Sequence, residues 1–384
     1  MTSPRHVVIL WDYYQHYHYA RLSALVREGG TQGWKVTGLA AGHGGAARDS
    51  HRTQIQTDGP VPTFLGGNDS DLYSSATADA LVSTLDQLQP DVVIIPGYGS
   101  PVARAAVRWC RRNHRGAVMI IESQERDAPR RWWREWAKRR LVRSADTVFC
   151  GGTTHAKYAE KLGMERTAIY PGYSAVDNAF WWTAAERART QERATSGPYF
   201  VAVGRFIPKK NFSGLVEAFA HFKRDPVHRD WHLVIVGDGP ERENIEAAIL
   251  AHGLERDIHL PGYANEEETA RWLAHAAALV LPSSHAEQWG LVVNEAMAAG
   301  LPVVVSTTCG CVEDLVEDDV TGYRVRAGDT VDLATALNRI ARDETNRRRL
   351  GAAARSRVEN YSLEHFAQQA IRASIHALDR ARTR

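Results

Sequence analysis

ALVLPSSHAEQWGLVVNEAMAAGLPVVVS, residues 278–306, decides the fold of this 384-residue chain. Its first five residues, ALVLP, form an apolar run of strand length. VVVS (303–306) is another. Between them, apolar residues recur at helical spacing from Leu291 to Ala299, and the pattern stops at Gly300 and Pro302. Strand, helix and strand without a hairpin turn make a βαβ unit, which closes as a parallel pair. Runs this apolar suit strands buried on both faces, as parallel strands are.

The same alternation extends in both directions. Strands are expected at 199–204, 232–237 and 259–262, with helices at Asn211 to Lys223, Arg242 to His252 and Glu266 to Ala276. In the first half the expected strands are 7–10, 91–96, 117–121 and 146–150, with helices at Ala76 to Leu88, Ser100 to Asn113 and Arg130 to Arg143. The reading is an α/β protein of two Rossmann-like, doubly wound domains facing a cleft. The first covers 1–182, a polar linker covers 183–198, and the second covers 199–361. A last helix, 362–384, carries Leu363, Phe366, Ile371 and Ile375 as an apolar stripe and is expected to pack back on the first domain.

Composition excludes several classes. Lys+Arg is 47 against Asp+Glu 45, a net charge of +2, which lacks the basic excess of a nucleic-acid binder. The four cysteines, Cys110, Cys150, Cys309 and Cys311, form no C-x-x-C pair, so neither a disulfide framework nor a metal site is expected. A reduced cytoplasm is the default compartment. No apolar run nears the ~18 residues of a spanning helix, and His6 to Trp11 reads as a first strand rather than part of a leader.

Three segments of the second half carry chemistry. In GRFIPKKN (204–211) a strand ends at Gly204, and Arg205 and Lys210 stand five apart before a helix that Asn211 can cap. Two cations at a strand end suit a diphosphate; a surface pair with no ligand is the alternative. In GDGP (237–240), Gly237 permits either close approach of a ligand or a plain βα turn. In 285–306, Glu287 and Glu295 stand eight apart around Gly290, where a helix starts. The N–H groups of Gly290, Leu291 and Val292 are then free for an anion. Carboxylates accept paired hydrogen bonds from vicinal hydroxyls, so both acids can serve a sugar or a ribose. Otherwise Glu295 is a first-turn acid complementing the helix dipole and Glu287 a loop charge.

In order and spacing these segments resemble the retaining nucleotide-sugar glycosyltransferases of family 4, from about Tyr199 to Tyr361, most strongly in the Glu-x7-Glu element. The resemblance implies the GT-B fold. It also implies that Arg205 and Lys210 hold the donor diphosphate without a metal, and that no cofactor is needed beyond a UDP- or GDP-sugar donor. Glu287 would then contact the donor sugar, with the backbone of Trp289 to Leu291 alongside. Glu295 would bind the ribose, and Tyr263 would meet the base. Gln288 and Trp289 stand where the family more often has Gly and Phe.

The first half departs further. Where relatives have a Gly-rich loop, Trp11 to Arg21 reads WDYYQHYHYAR; its Tyr14, His16 and His18 suit a wall for a polar acceptor, or else pack at a helix start. After the strand 117–121 the family has a His, and this chain has Glu122, Ser123 and Gln124. Glu122 can serve as general base, pair with an aminated acceptor, or pair with Arg126 or Arg130. Ser123 and Asp127 are further acceptor candidates. Residues Arg126 to Arg143 hold eight Arg or Lys and three Trp, which fits either a surface helix or contact with an anionic membrane.

The expectation is a retaining hexosyltransferase acting on a hydroxyl of a small polar acceptor, as in natural-product biosynthesis. A lipid-linked or polysaccharide acceptor, a sugar-nucleotide epimerase of the same shape, and a catalytically silent binding protein are the alternatives.

Overall fold

The computed structural model describes residues 4–42, 60, 62–66, 74–127, 131–192, 195–285 and 287–384. The first sheet has seven strands: β1 (Arg5–Tyr13), β2 (Trp34–Gly42), β3 (Thr63–Phe64), β4 (Val92–Pro96), β5 (Gly116–Ile121), β6 (Thr147–Cys150) and β7 (Ile169–Pro171). Their order is β3-β2-β1-β4-β5-β6-β7. The second has six: β8 (Tyr199–Val203), β9 (His232–Val236), β10 (Ile258–Gly262), β11 (Ala278–Leu281), β12 (Val303–Ser306) and β13 (Gly322–Val325), in the order β10-β9-β8-β11-β12-β13. All pairings between these strands are parallel. The chain is a two-sheet α/β protein. In each sheet the order reverses beside one strand, at β1/β4 and at β8/β11, and crevices for ligands open at the carboxyl ends of such strands.

The compact units comprise Met1–Glu125, Pro129–Val176 and Tyr361–Arg384 on one side, and Arg126–Ala128 with Asp177–Asn360 on the other. The stretch 183–198, read above as a linker, is therefore not the crossing point. Its first seven residues belong to the helix Asn178–Arg189, which buries Trp181, Ala184, Ala185 and Ala188 within the second unit. Its polar face misled the reading, because its apolar residues are mostly alanines.

The helix Leu363–Arg382 lies on the first unit. It buries Phe366, Ala370, Ile371 and Leu378 in one cluster with Val7, Ile9, Val118 and Phe149. Thr147 donates its hydroxyl to the Ala373 carbonyl at 3.1 Å. The expected helices recur with ends shifted by a residue or two, and Ser100 and Ser362 cap theirs by accepting from Ala103 N–H and His365 N–H.

Two expectations fail. Trp11 to Arg21 is not a loop: β1 runs to Tyr13, and a helix spans His16–Thr31. The strands β2, β3, β7 and β13 were not read. β3, β7 and β13 are edge strands of two to four residues, and Arg324 of β13 is exposed. Lys35, Thr37 and Gly38 interrupt the apolar run of β2. An edge strand needs only one buried face, so its sequence lacks a continuous apolar run.

Candidate functional site

The second unit builds its site at the β8/β11 switch. The loop after β8 (204–211) and the loop after β11 (282–290) are stitched together. Ser284 N–H donates to Lys209 O at 2.8 Å, and the Asn211 side-chain amide donates to Pro282 O at 3.4 Å. Asn211 was expected to cap the helix Phe212–Lys223 through its side chain; that amide is spent on the neighbouring loop instead. A third loop pins the second, through Gly310 N–H to Glu287 O at 3.0 Å and the Thr308 hydroxyl to Ser283 O at 3.0 Å.

Within this frame Lys210 and Glu287 meet. Lys210 Nζ lies 2.7 Å from Glu287 Oε2, Lys209 Nζ lies 3.7 Å from Oε1, and Ser283 Oγ donates to Oε2 at 3.0 Å. Burial alone would push the Glu287 carboxyl up. The charge of Lys210, its hydrogen bond, and then Lys209 and Ser283 outweigh burial and hold it below its usual value. Glu287 is thus an ionised, buried acid. The Arg205 side chain is exposed, and no hydrogen bond or ion pair engages its guanidinium among the described residues. It is a cation with its valence open to a ligand.

The helix Leu291–Ala298 starts at Gly290, whose φ is +97°; a Cβ there would meet Leu281 Cδ2 at 2.6 Å. The first helical bond runs from Val293 N–H to Gly290 O at 2.9 Å, so the Leu291 and Val292 N–H groups precede the ladder. Glu295 sits one turn further along, half-buried. Dehydration pushes its carboxyl up to about 8, with Glu266 adding and Lys210 opposing. This dehydration favours the protonated carboxyl near neutral pH.

Other residues take different parts from those expected. Trp289 is buried, and its Nε1 donates to Asn294 Oδ1 at 2.7 Å, so the indole packs the helix start and only its backbone lines the loop. Gly237 has φ +139°, and a Cβ there would lie 2.0 Å from Gly204 O. It allows the close approach of two neighbouring parallel strand ends, where Gly204 N–H donates to Val236 O at 3.0 Å. Tyr263 is exposed at the end of β10, facing a cavity of about 390 Å³ with Pro261, Trp272 and His275. Arg205, Lys210 and Glu287 do not line that cavity.

In the first unit, Tyr14 is a core residue, packed edge-on to Trp11 and Tyr19 at 5.0 and 4.7 Å. His18 is buried, stacks on Trp11, and takes Gln15 N–H on its Nδ1 at 3.1 Å, which completes a capping box. Both are therefore parts of the helix start rather than an open wall. The side chain of His16 lies outside the described residues. Ser123 Oγ shares a 2.7 Å hydrogen bond with Tyr98 OH, and Asp127 ends the short 3₁₀ turn Glu125–Asp127. Glu122 follows β5 and keeps accessible surface, yet dehydration by its neighbours is the largest influence and raises its carboxyl. Arg21 opposes that shift and Asp12 adds to it. Arg21, and not Arg126, is thus the cation that Glu122 senses; Arg130 lies outside the described residues.

Two family models match consecutive parts of the chain. "Glycosyl transferase 4-like domain" covers residues 20–171, and "Glycosyl transferases group 1" covers 185–357. The chain belongs to the family 4 type of GT-B glycosyltransferases. Among curated relatives, alpha-D-kanosaminyltransferase of Streptomyces kanamyceticus is 33% identical over 61% of this chain and 61% of its own length. D-inositol 3-phosphate glycosyltransferase of Nocardia farcinica is 31% identical over 68% of this chain and 59% of its own. The chain thus spans under two thirds of these relatives. HepE of Anabaena, solved in complex with UDP, superposes with a TM-score of 0.74 at 17% identity, covering 95% of this chain and 98% of that one. Sucrose-phosphate synthase of Thermosynechococcus elongatus gives 0.73 at 18% identity, covering 98% and 100%. At such identities the likeness is one of fold.

Within this family 4 chain, sequence reading overlooked Asp12, Arg21 and Ser100. Asp12 and Ser100 stand at the β1/β4 switch, where burial pushes the Asp12 carboxyl up and Ser100 opposes that shift. The available signal was an Asp ending an apolar first strand, and β1 was read as stopping one residue short of it.

Proposed function

We propose that this chain is a retaining glycosyltransferase. It transfers a hexose from a UDP- or GDP-linked donor to a hydroxyl of a small polar acceptor. The observation that carries this reading is the Arg205 guanidinium, exposed and unengaged among the described residues, on the same loop as Lys210 and beside β11 and the helix starting at Leu291. The HepE structures, solved in complex with UDP or UDP-glucose, support a nucleotide-sugar donor.

In the proposed reaction the bond from the anomeric carbon to the diphosphate breaks, and its electron pair goes to the diphosphate oxygen. The acceptor oxygen bonds the anomeric carbon from the same face and gives up its proton. Arg205, Lys210 and the Leu291 and Val292 N–H groups stabilise the leaving charge by preorganised electrostatics. A contact pair of unit charges at 4 Å is worth about 4 kcal/mol at an effective dielectric near 20, before desolvation. Glu287, locked to Lys210, orients the sugar and is a poor covalent nucleophile, which supports same-face attack. Glu122, just after β5, is the candidate general base, its carboxyl raised by dehydration with Arg21 opposing. Because lysine and arginine carry the countercharge, saturating EDTA should leave the rate unchanged; a loss of activity contradicts metal independence.

Thermal stabilisation by a panel of nucleotide sugars tests the donor, and a crystal soak with the best one places it. A nucleotide lodged away from Arg205 and Lys210 overturns the reading. One observation favours a second, membrane-surface acceptor. On the helix Trp132–Val142, Trp132, Trp133 and Trp136 are 82%, 48% and 61% exposed, with Arg134 and Arg140 over Trp133 and Trp136. Tryptophan and arginine side by side suit an anionic bilayer surface. No helix among the described residues is long and apolar enough to cross a membrane. Failure to float with anionic liposomes removes this second reading.

A further inference from the structure

The β1/β4 switch of the first unit holds a second polar cluster that the donor site does not use. Asp12 comes from the end of β1, Ser100 from the loop after β4, and Glu122 from the residue after β5. Asp12 Oδ1 is buried and has no hydrogen-bond partner. Arg21 is 1% exposed. Its Nε and Nη2 both donate to Ala175 O, at 3.1 and 3.0 Å, and the Tyr17 and Tyr173 rings sandwich it at 4.6 and 4.7 Å. Its Nη1 has no partner, although the Arg21 charge acts on Glu122.

A buried donor or acceptor left unmade costs about 1–3 kcal/mol, more when it is charged. Evolution tolerates such groups where a ligand completes them. Here the unmade set is mixed: one cationic N–H donor, one carboxylate acceptor, and a second carboxyl coupled to both. One guanidinium serves two carboxyls whose ionised forms burial disfavours, and a bound cation would favour ionisation of both.

We propose that Asp12, Arg21 and Glu122 form an acceptor subsite for an amino-bearing cyclic polyol, with its ammonium between the two carboxyls and an adjacent hydroxyl on Arg21 Nη1. This deepens the transferase reading above and rests on it. An ammonium supplies that cation and three donors. A hydroxyl oxygen accepts from the planar guanidinium, which the aromatic sandwich holds in place. A neutral polyol fills the hydrogen bonds but leaves two carboxyls in competition. An anionic ligand meets like charge.

The experiment is calorimetric titration of the full chain at pH 7, without donor, with inosamine against inositol and glucosamine against glucose. The amino compound is expected to bind at least about tenfold tighter in each pair, a difference of about 1.4 kcal/mol. Asp12→Asn should cut that preference to within about twofold. Arg21 is too buried to vary safely, so Glu122→Gln, at an accessible position, is the second variant and should erode the preference as well. Equal affinities within both pairs, or a preference intact in both variants, overturn the proposal. UDP titrated in parallel separates the two readings. UDP binding without amine preference defeats only the subsite, and amine preference without UDP binding defeats the transferase.

Discussion

Lys210 Nζ and Glu287 Oε2 lie 2.7 Å apart, although 77 residues separate them in sequence, and both side chains are largely buried. This ion pair joins the loop after β8 to the loop after β11. It keeps Glu287 ionised against the pull of burial. One residue of the pair is assigned to the diphosphate and the other to the sugar, so donor binding and loop geometry are coupled through it.

Lys210→Ala separates the two roles. Removing a preorganised cation should cost about 10²–10³ in turnover. It also leaves Glu287 buried with only Lys209, at 3.7 Å, for company. Breaking a buried pair costs about 3–5 kcal/mol, and Lys209 should hold the loss to the lower end. Adding Glu287→Gln should restore melting temperature but not turnover. Recovery of turnover in the double variant contradicts the diphosphate role.

Arg205→Ala makes the opposite separation. The side chain is exposed and unengaged among the described residues, so stability should move by no more than about 0.5 kcal/mol. UDP affinity should drop about tenfold at low salt, measured by calorimetry. Unchanged affinity removes Arg205 from the donor site.

Glu295 ties stability to pH. Its folded carboxyl sits at about 8 against an ordinary 4.5. Between those values the folded chain keeps a proton that the unfolded chain has lost. The unfolded state therefore binds fewer protons, and stability falls as pH rises across that window, levelling off above it. Denaturant melts of wild type and Glu295→Gln from pH 4.5 to 9 check this. The variant should show the shallower decline, and parallel curves refute the assignment.

Gly237→Ala tests the close approach of the strand ends. A Cβ at Gly237 would lie 2.0 Å from Gly204 O, whereas one at Gly253, where φ is +66°, meets nothing within 4 Å. Gly253→Ala should cost about 1–2 kcal/mol, the price of a left-handed L-residue. Gly237→Ala should exceed about 4 kcal/mol, beyond most single substitutions. Similar melting temperatures for the two variants would show that the second unit does not depend on that contact.

The alternation of apolar runs with helical stripes made β1, β4 to β6 and β8 to β12 legible, because buried parallel strands leave long apolar words in the chain. The strand ends carrying Arg205, Lys210, Glu287 and Glu295 were legible for the same reason. β3, β7 and β13 were not, since short edge strands bury less, and β2 was not, because Lys35, Thr37 and Gly38 break its apolar run. Tyr14 and His18 looked like a binding wall because Tyr and His are ambiguous in sequence. Only packing on Trp11 shows that they are core and cap.

The order of strands and helices, and which loops carry charge, follow from the sequence alone, because apolar periodicity and turn chemistry act within a few residues. Tertiary structure decided that Lys210 engages Glu287, that burial raises the Glu295 carboxyl, that Trp289 turns inward, and that the Arg21 charge reaches Glu122. Those outcomes depend on dehydration and on charges brought together from distant positions, which no local pattern encodes.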